Sequence, residues 1–297
     1  MEKETLDVLI RDHRRQWRDC LYVYPVIARR SKGLSVGVNL NLDKTCNYSC
    51  VYCQVDRNRP RASHEVQLPV LRDELLLALQ KAKSGQLWQE PQFKATPRRM
   101  RRVNDIAFSG DGEPTCLANF SQAVRTAAEV KSQLRLDRVK LVVITNATWL
   151  QSPQVQEALP ILDANNGEIW AKLDAGSEEY FRRMNRPLGR ITLDEISQSI
   201  AVIARGRPVV IQTLLCRLEG QAPPVEEIQA YCRRLEDIIG NGGQIKLVQV
   251  HTVARPPAES YVQPLDDDEL DRLVGSIREA LPHVPIETFY GAKRVEG

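Results

Sequence analysis

The chain has 297 residues, 42% of them hydrophobic, with 41 Lys and Arg against 38 Asp and Glu for a formal net charge of +3. That is enough apolar material for one large domain or two ordinary ones, and a charge too mild and too evenly mixed to mark a general polyanion binder. No stretch approaches the roughly 18 uninterrupted apolar residues of a membrane span. The opening MEKETLDVLIRDHRRQW is amphipathic and charged where a signal peptide is apolar. A cytoplasmic protein with no membrane partner is expected.

In chain order, residues 1–30 read as an N-terminal extension, 31–257 as the core and 258–297 as a C-terminal extension of helix and strand. Strand patterns fall at 34–42, 105–108, 140–145, 168–173, 209–215 and 244–250. Helix patterns fall at 70–83, 120–132, 153–162, 193–204, 225–239 and 266–280. The run Asp266, Asp267, Asp268, Glu269 suits the positive end of the last helix dipole. Residues 86–102, with Pro91, Pro97 and four arginines, read as an irregular surface insertion. Short β-branched runs alternating with longer amphipathic ones are the signature of βα units around a parallel sheet. Six strands are too few for a closed eight-stranded barrel, so the expected fold is α/β, a partial (β/α)6 barrel with its active residues at the C-terminal ends of the strands.

There are seven cysteines, at 20, 46, 50, 53, 116, 216 and 232. An odd number with three clustered argues against a disulfide framework and for thiolates in metal or redox chemistry. NLDKTCNYSCVYCQVDR places Cys46, Cys50 and Cys53 at C-x3-C-x2-C spacing directly after the first predicted strand. Three thiolates from one short loop can ligate three irons of a [4Fe-4S] cubane and leave the fourth iron open. Two rival readings stand beside this one. A structural zinc site needs four ligands, and His64 is the lone nearby candidate for the fourth. Buried structural cysteines are the other, although three rarely crowd into one polar loop.

With Tyr52 immediately before the last cysteine, the motif resembles the signature of the radical S-adenosylmethionine (SAM) superfamily, and the resemblance runs through the strand pattern to about residue 257. It implies that SAM chelates the open iron through its amino and carboxylate groups. An electron from the reduced cluster then cleaves the sulfonium, and a 5'-deoxyadenosyl radical abstracts hydrogen from the substrate. The protein's part is to bind, orient and exclude water. A one-electron donor such as flavodoxin or ferredoxin is implied as partner. By the same analogy Tyr52 lines the adenine pocket; its bland alternative is a half-buried aromatic that packs the loop.

After the second strand, IAFSGDGEPT supplies Gly110, Asp111, Gly112 and Glu113 as cofactor-binding candidates. The glycines would let the backbone approach a ligand, and Glu113 can accept a charge-assisted hydrogen bond from the methionyl ammonium. Such residues also make ordinary turns. The family's usual form is Gly-Gly-Glu, from which Gly-Asp-Gly-Glu departs. Thr145 and Asn146 end the third strand, where polar groups can reach the SAM ribose or the substrate. Lys172 and Asp174 end the fourth, as a polar pair at the barrel mouth. Gln212, a further cofactor-binding candidate, and Thr213 sit on the fifth strand; Gln249, His251 and Arg255 sit on or after the sixth. Lys172, Asp174 and His251 are the catalytic candidates, His251 as a proton donor near neutral pH. Each of these residues can equally cap a strand or a turn. Two arginine runs, Arg98, Arg99, Arg101, Arg102 and Arg182, Arg183, Arg186, Arg190, suit either a phosphate-bearing substrate or a solvated face.

GVNLNLDKTCNYSCVYCQVDR, FSGDGEPT, AKLDAGSEEYFRRMNRP and VQVHTVARPPAE together resemble a branch of iron-sulfur oxidoreductases that includes the tRNA 4-demethylwyosine synthases. Those enzymes hold a second cluster on additional N-terminal cysteines, whereas here only Cys20 precedes Cys46. The expectation is a radical SAM enzyme with one [4Fe-4S] cluster, acting on a small-molecule, peptide or nucleotide substrate. The alternatives are wybutosine-type base modification of tRNA, transfer of a 3-amino-3-carboxypropyl group from SAM, and a non-catalytic iron-sulfur sensor. A sensor has no need of a SAM ammonium site, so the Gly-Asp-Gly-Glu turn weighs against it.

Overall fold

The computed structural model describes residues 15–55, 65–257 and 259–291. They form two compact units. The first is built from segments within 15–45, 65–144 and 151–168, the second from 46–55, 145–150 and 169–291.

In the first unit, β1 (Val23–Ala28) and β2 (Gly33–Val38) pair antiparallel, Val23 opposite Val38 and Ala28 opposite Gly33. β2 then runs parallel to β3 (Val103–Phe108), and β3 to β4 (Lys140–Thr145), with Val36 opposite Ile106 and Ile106 opposite Leu141. Every residue of β2 is buried, as in a strand covered on both faces. Helices α1 (Leu68–Ser84), α2 (Phe120–Gln133) and α3 (Pro153–Asp163) complete the unit, α1 packing on α2 and α2 on α3. Leu71, Leu75 and Leu79, spaced four apart on one face of α1, are fully buried. Each contributes roughly 1.5–3 kcal/mol by leaving water. Pro69 opens the helix and Gly85, at φ +84°, closes it in the left-handed conformation.

On the same helix the buried carboxylate of Glu74 accepts the backbone N–H groups of Leu21, Tyr22 and Val23 at 2.7, 2.9 and 3.1 Å. It satisfies donors that have no strand partner at the start of β1, a strand the periodicity does not reveal. The stretch before β3 is irregular as expected, with two short 3-10 turns at Gln86–Gln89 and Arg98–Met100. It is more than surface, since Leu87, Trp88, Phe93 and Met100 are buried.

In the second unit, β5 (Gly167–Lys172), from Ile169 onward, pairs with β6 (Val209–Leu214), β6 with β8 (Ile245–His251), and β8 with β10 (Ile286–Phe289), all parallel. β7 (Cys216–Leu218) and β9 (Val262–Pro264) form a small antiparallel ribbon. The helices are α4 (Glu178–Asn185), α5 (Leu193–Gly206), α6 (Val225–Gly240) and α7 (Asp267–Ala280). α5 and α7 each open on a capping box, Thr192 with Glu195 and Asp266 with Glu269. Both units are therefore βα-repeat structures with parallel strands, the α/β class expected, and each of the six predicted strands is present. Among the described residues no helix is long and apolar enough to cross a membrane.

Candidate active site

The cysteine loop belongs to the second unit and hangs from the C-terminal end of α4. Ser49 N donates to Arg186 O at 3.1 Å, Val51 N to Met184 O at 3.0 Å, and Leu188 N to Asn47 O at 2.8 Å. Tyr48 lies edge-on to Phe181 of α4, ring centres 5.6 Å apart. Within the loop, Cys53 N donates to Cys50 O at 2.9 Å, a turn that keeps the last two thiols on neighbouring positions. All three cysteines are half-buried, and none forms a disulfide among the described residues. Burial, with the nearby Asp174 charge adding to it, pushes the bare Cys50 thiol up to about 12. An electropositive metal is what would hold its sulfur as thiolate.

Behind Cys50 stands Asp174, two residues past β5 and fully buried at its side chain. Its Oδ1 accepts Leu214 N at 2.8 Å and faces Lys172 Nζ at 3.3 Å. Its Oδ2 accepts the Tyr52 hydroxyl and Asn185 Nδ2, the latter at 2.9 Å. Asn185 Nδ2 also lies 3.2 Å from Tyr52 Oη and 3.7 Å from Cys50 Sγ. Lys172 Nζ is 5.0 Å from the Tyr52 ring centre, a cation–π contact. Lys172, Asp174 and Tyr52 thus meet in one network around Cys50. Both oxygens of Asp174 are engaged in it, so this carboxylate acts as a hub. Burial, then the Asp174 charge, raise the Tyr52 hydroxyl well above its ordinary range, which keeps it a neutral donor.

Lys172, Gln212 and Gln249 are paired in register across β5, β6 and β8, with Gln212 Nε2 donating to Gln249 Oε1 at 2.9 Å. They form a polar row across three neighbouring strands. His251 ends β8 opposite Leu214 and Phe289, away from this row by two residues. Thr213 is turned elsewhere, its hydroxyl donating to Leu173 O at 2.9 Å and meeting Tyr231 Oη at 2.5 Å. Thr145 and Asn146 shape a turn: Thr145 Oγ1 accepts Ala147 N at 3.0 Å, and Asn146 Oδ1 accepts Thr148 N at 3.1 Å. Asn146 Nδ2 reaches Asn47 Oδ1 of the cysteine loop at 2.7 Å.

The Gly-Asp-Gly-Glu turn lies in the first unit. What its glycines approach is the chain itself: a Cβ on Gly110 would sit 2.2 Å from Asn39 Oδ1, and one on Gly112 2.0 Å from Thr45 O. Asp111 is held by Asn39 and forms an ion pair with Arg15. Glu113 is buried, its Oε1 accepting Thr115 N at 3.2 Å and Thr115 Oγ1 at 2.5 Å, and its backbone N–H donates to Thr45 O at 3.1 Å.

The second arginine run is largely paired. Arg182 meets Glu178 at 2.7 Å, Arg183 meets Glu219 at 2.8 Å, and Arg186 meets Glu259 at 2.5 Å. The segment's work is to clamp the cysteine loop, a role that charge counting misses. Asn185 was likewise absent from the candidates; its place one residue before the positive-φ Arg186, within MNRP, is the only local signal. His64, the candidate fourth zinc ligand, lies outside the described residues. Among the described residues no three His, Cys, Asp or Glu side chains gather around one metal-ion position. A cubane asks something different, spreading three sulfur ligands over three irons. Three thiols on one loop, with an N–H donor behind one sulfur, fit that donor set.

The fold is similar to that of solved radical SAM enzymes. The chain superposes on a radical SAM methyltransferase from Sphaerobacter thermophilus with a TM-score of 0.61, at 12% identity over 90% of this chain and 69% of that one. Against SuiB from Streptococcus suis bound to S-adenosylmethionine the score is 0.57, at 14% identity, covering 88% of this chain and 52%, about half, of SuiB. Against TYW1 with a lysine-pyruvate adduct bound it is 0.52, at 15% identity over 84% of this chain and 74% of that one. In sequence, the chain is 24% identical to a UPF0026 protein of Methanocaldococcus jannaschii over 86% of its own length and 71% of the relative's. It is 26% identical to a UPF0026 protein of Helicobacter pylori, over 83% and 70%. No family model matches.

Proposed function

We propose that the protein is a radical SAM enzyme that carries one [4Fe-4S] cluster on Cys46, Cys50 and Cys53. The observation that carries this reading is a loop with three thiols whose backbone is fixed by α4, with the Asn185 amide set behind the Cys50 sulfur. The likeness in fold to a SAM-bound enzyme supports it. The cofactor pair, when bound, supplies one-electron cleavage of the sulfonium and a carbon radical. The chain's own residues bind and orient. Glu113 and the backbone around Gly110 to Gly112 are assigned the methionyl ammonium, and Thr145 and Asn146 the ribose side. Tyr52 packs beneath the site by its ring. Gln212 is assigned to the cofactor, and Lys172, held by Asp174, and His251, as proton donor, to the chemistry on the substrate.

The reaction uses an electron from a one-electron donor of the flavodoxin or ferredoxin type and acts on a small-molecule, peptide or nucleotide substrate. Cys20, Cys116, Cys216 and Cys232 are scattered along the sequence, which favours a single cluster. Anaerobic reconstitution is expected to give about four irons per chain for one cubane, and dithionite with SAM to give methionine and 5'-deoxyadenosine. Zinc in place of iron would end the reading. Methylthioadenosine as product would convert it to aminocarboxypropyl transfer. Stimulation of deoxyadenosine release by an RNA fraction, against a small-molecule fraction, decides the substrate class.

A further inference from the structure

Asn185 is 3% exposed, and its side chain is arranged in a way that costs stability. The Nδ2 group faces three acceptors, Asp174 Oδ2 at 2.9 Å, Tyr52 Oη at 3.2 Å and Cys50 Sγ at 3.7 Å, while Oδ1 is buried with no hydrogen-bond partner among the described residues. Buried polar atoms are nearly always paired, so an orphaned carbonyl needs a reason. The reason is Asp174. A carboxylate oxygen at 2.9 Å accepts only from the nitrogen end of the amide, and flipping the amide would set two oxygens against each other. Asp174 therefore fixes which end of Asn185 faces the cysteine loop.

The Tyr52 hydroxyl also lies against Cys50, but it has a single hydrogen and that one goes to Asp174. The amide has two hydrogens, one for Asp174 and a second left for the oxygen of Tyr52 and the sulfur of Cys50. We propose that Asn185, oriented by Asp174, is a positioning residue that donates an N–H···S hydrogen bond to the Cys50 sulfur and so raises the reduction potential of the cluster held there. Donors to ligand sulfurs stabilise the more negative, reduced state. The inference rests on the cluster assigned under Proposed function and goes beyond it by naming the group that tunes it.

The test is a redox titration of the reconstituted full chain, followed by electron paramagnetic resonance, for wild type, Asn185→Leu and Asn185→Ala. Leucine keeps the volume without the donor, and alanine covers the case in which leucine does not fold. With iron content at the wild-type value, the variants are expected to hold about tenfold less reduced cluster at a fixed potential, about 59 mV for a one-electron couple. A full complement of iron with an unchanged potential overturns the inference and leaves the enzyme reading standing. Wild-type protein that takes up no iron-sulfur cluster overturns both. A second measurement needs no variant: in protein labelled with [15N]asparagine, the reduced cluster should show coupling to one asparagine nitrogen, and its absence also overturns the proposal.

Discussion

The side chain of Asn39 and residue Asp111 hold each other in both directions: Asp111 N donates to Asn39 Oδ1 at 3.0 Å, and Asn39 Nδ2 donates to Asp111 Oδ2 at 2.8 Å. The pair joins the exit of β2 to the turn after β3 and leaves no room between them for a side chain at Gly110. The turn's shape is thus set by the protein's own packing before any ligand arrives.

Gly112→Ala is expected to be the more damaging of the two glycine substitutions, since its Cβ would meet a backbone oxygen that cannot rotate away. Overpacking of this kind costs about 1–3 kcal/mol. Gly275→Ala in α7 meets nothing within 4 Å and should instead stabilise by about 0.5–1 kcal/mol through helix propensity. Urea unfolding of wild type and the Gly110→Ala, Gly112→Ala and Gly275→Ala variants checks the order; equal stability of Gly112→Ala and wild type would contradict the packing account.

The role proposed for Glu113 in SAM binding can be separated from its hydrogen bonds to Thr115. Glu113→Ala and Glu113→Gln should both weaken SAM binding, by roughly tenfold or more if a charge-assisted hydrogen bond of about 1.5–3 kcal/mol is lost. Iron content should not change. Thr115→Val removes the 2.5 Å hydroxyl bond to the same carboxylate and should lower stability while leaving SAM affinity near wild type. Equilibrium dialysis with reconstituted protein distinguishes them, and unchanged affinity in both Glu113 variants would remove that residue from the site.

Asp105, buried on β3 and hydrogen-bonded by Ser35, has its carboxyl pushed up from 3.8 to about 6, chiefly by desolvation. A raised folded-state value means the native protein binds the proton more tightly than the unfolded chain. Stability from this group is therefore present below about pH 4 and lost as pH rises to about 6, on the order of 3 kcal/mol in all. Asp105→Asn should remove that loss, so the variant gains on wild type between pH 4 and 7 in thermal melts. A constant difference across this range would show that Asp105 stays ionised.

Glu227 on α6 reaches across to the start of α4, its Oε1 accepting Gly176 N at 2.5 Å and its Oε2 accepting Ser177 Oγ at 2.6 Å. Glu227→Ala should cost about 1–3 kcal/mol by leaving buried donors unpaired. Because α4 carries the cysteine loop, the variant should also lose iron faster to a chelator than wild type. An unchanged rate of iron loss would separate α4 from the loop.

The six core strands were legible because each is a short β-branched run, and Lys140–Thr145 was bounded correctly at both ends. The acidic run from Asp266 marked the start of α7 in the sequence. α4 was not legible: its eight residues, EEYFRRMN, are mostly polar, and it is held by Glu227, some fifty positions later. β1 was hidden for the same reason, since its entry is fixed by Glu74 on α1. Of the site, the thiols, Lys172, Asp174 and Tyr52 were visible as residue types at strand ends. Asn185 was not, because nothing local distinguishes an asparagine that caps a helix from one aimed at a sulfur.

The backbone bonds that suspend the cysteine loop from residues 184–188 run between amides and carbonyls; a sulfur enters only through the Asn185 side chain. Unlike a zinc finger, whose fold exists only while the metal is bound, such a loop owes its position to a helix. Oxidative destruction of a cluster there would leave an intact scaffold ready to be recharged, so damage of that kind calls for iron and sulfide and not for new protein synthesis.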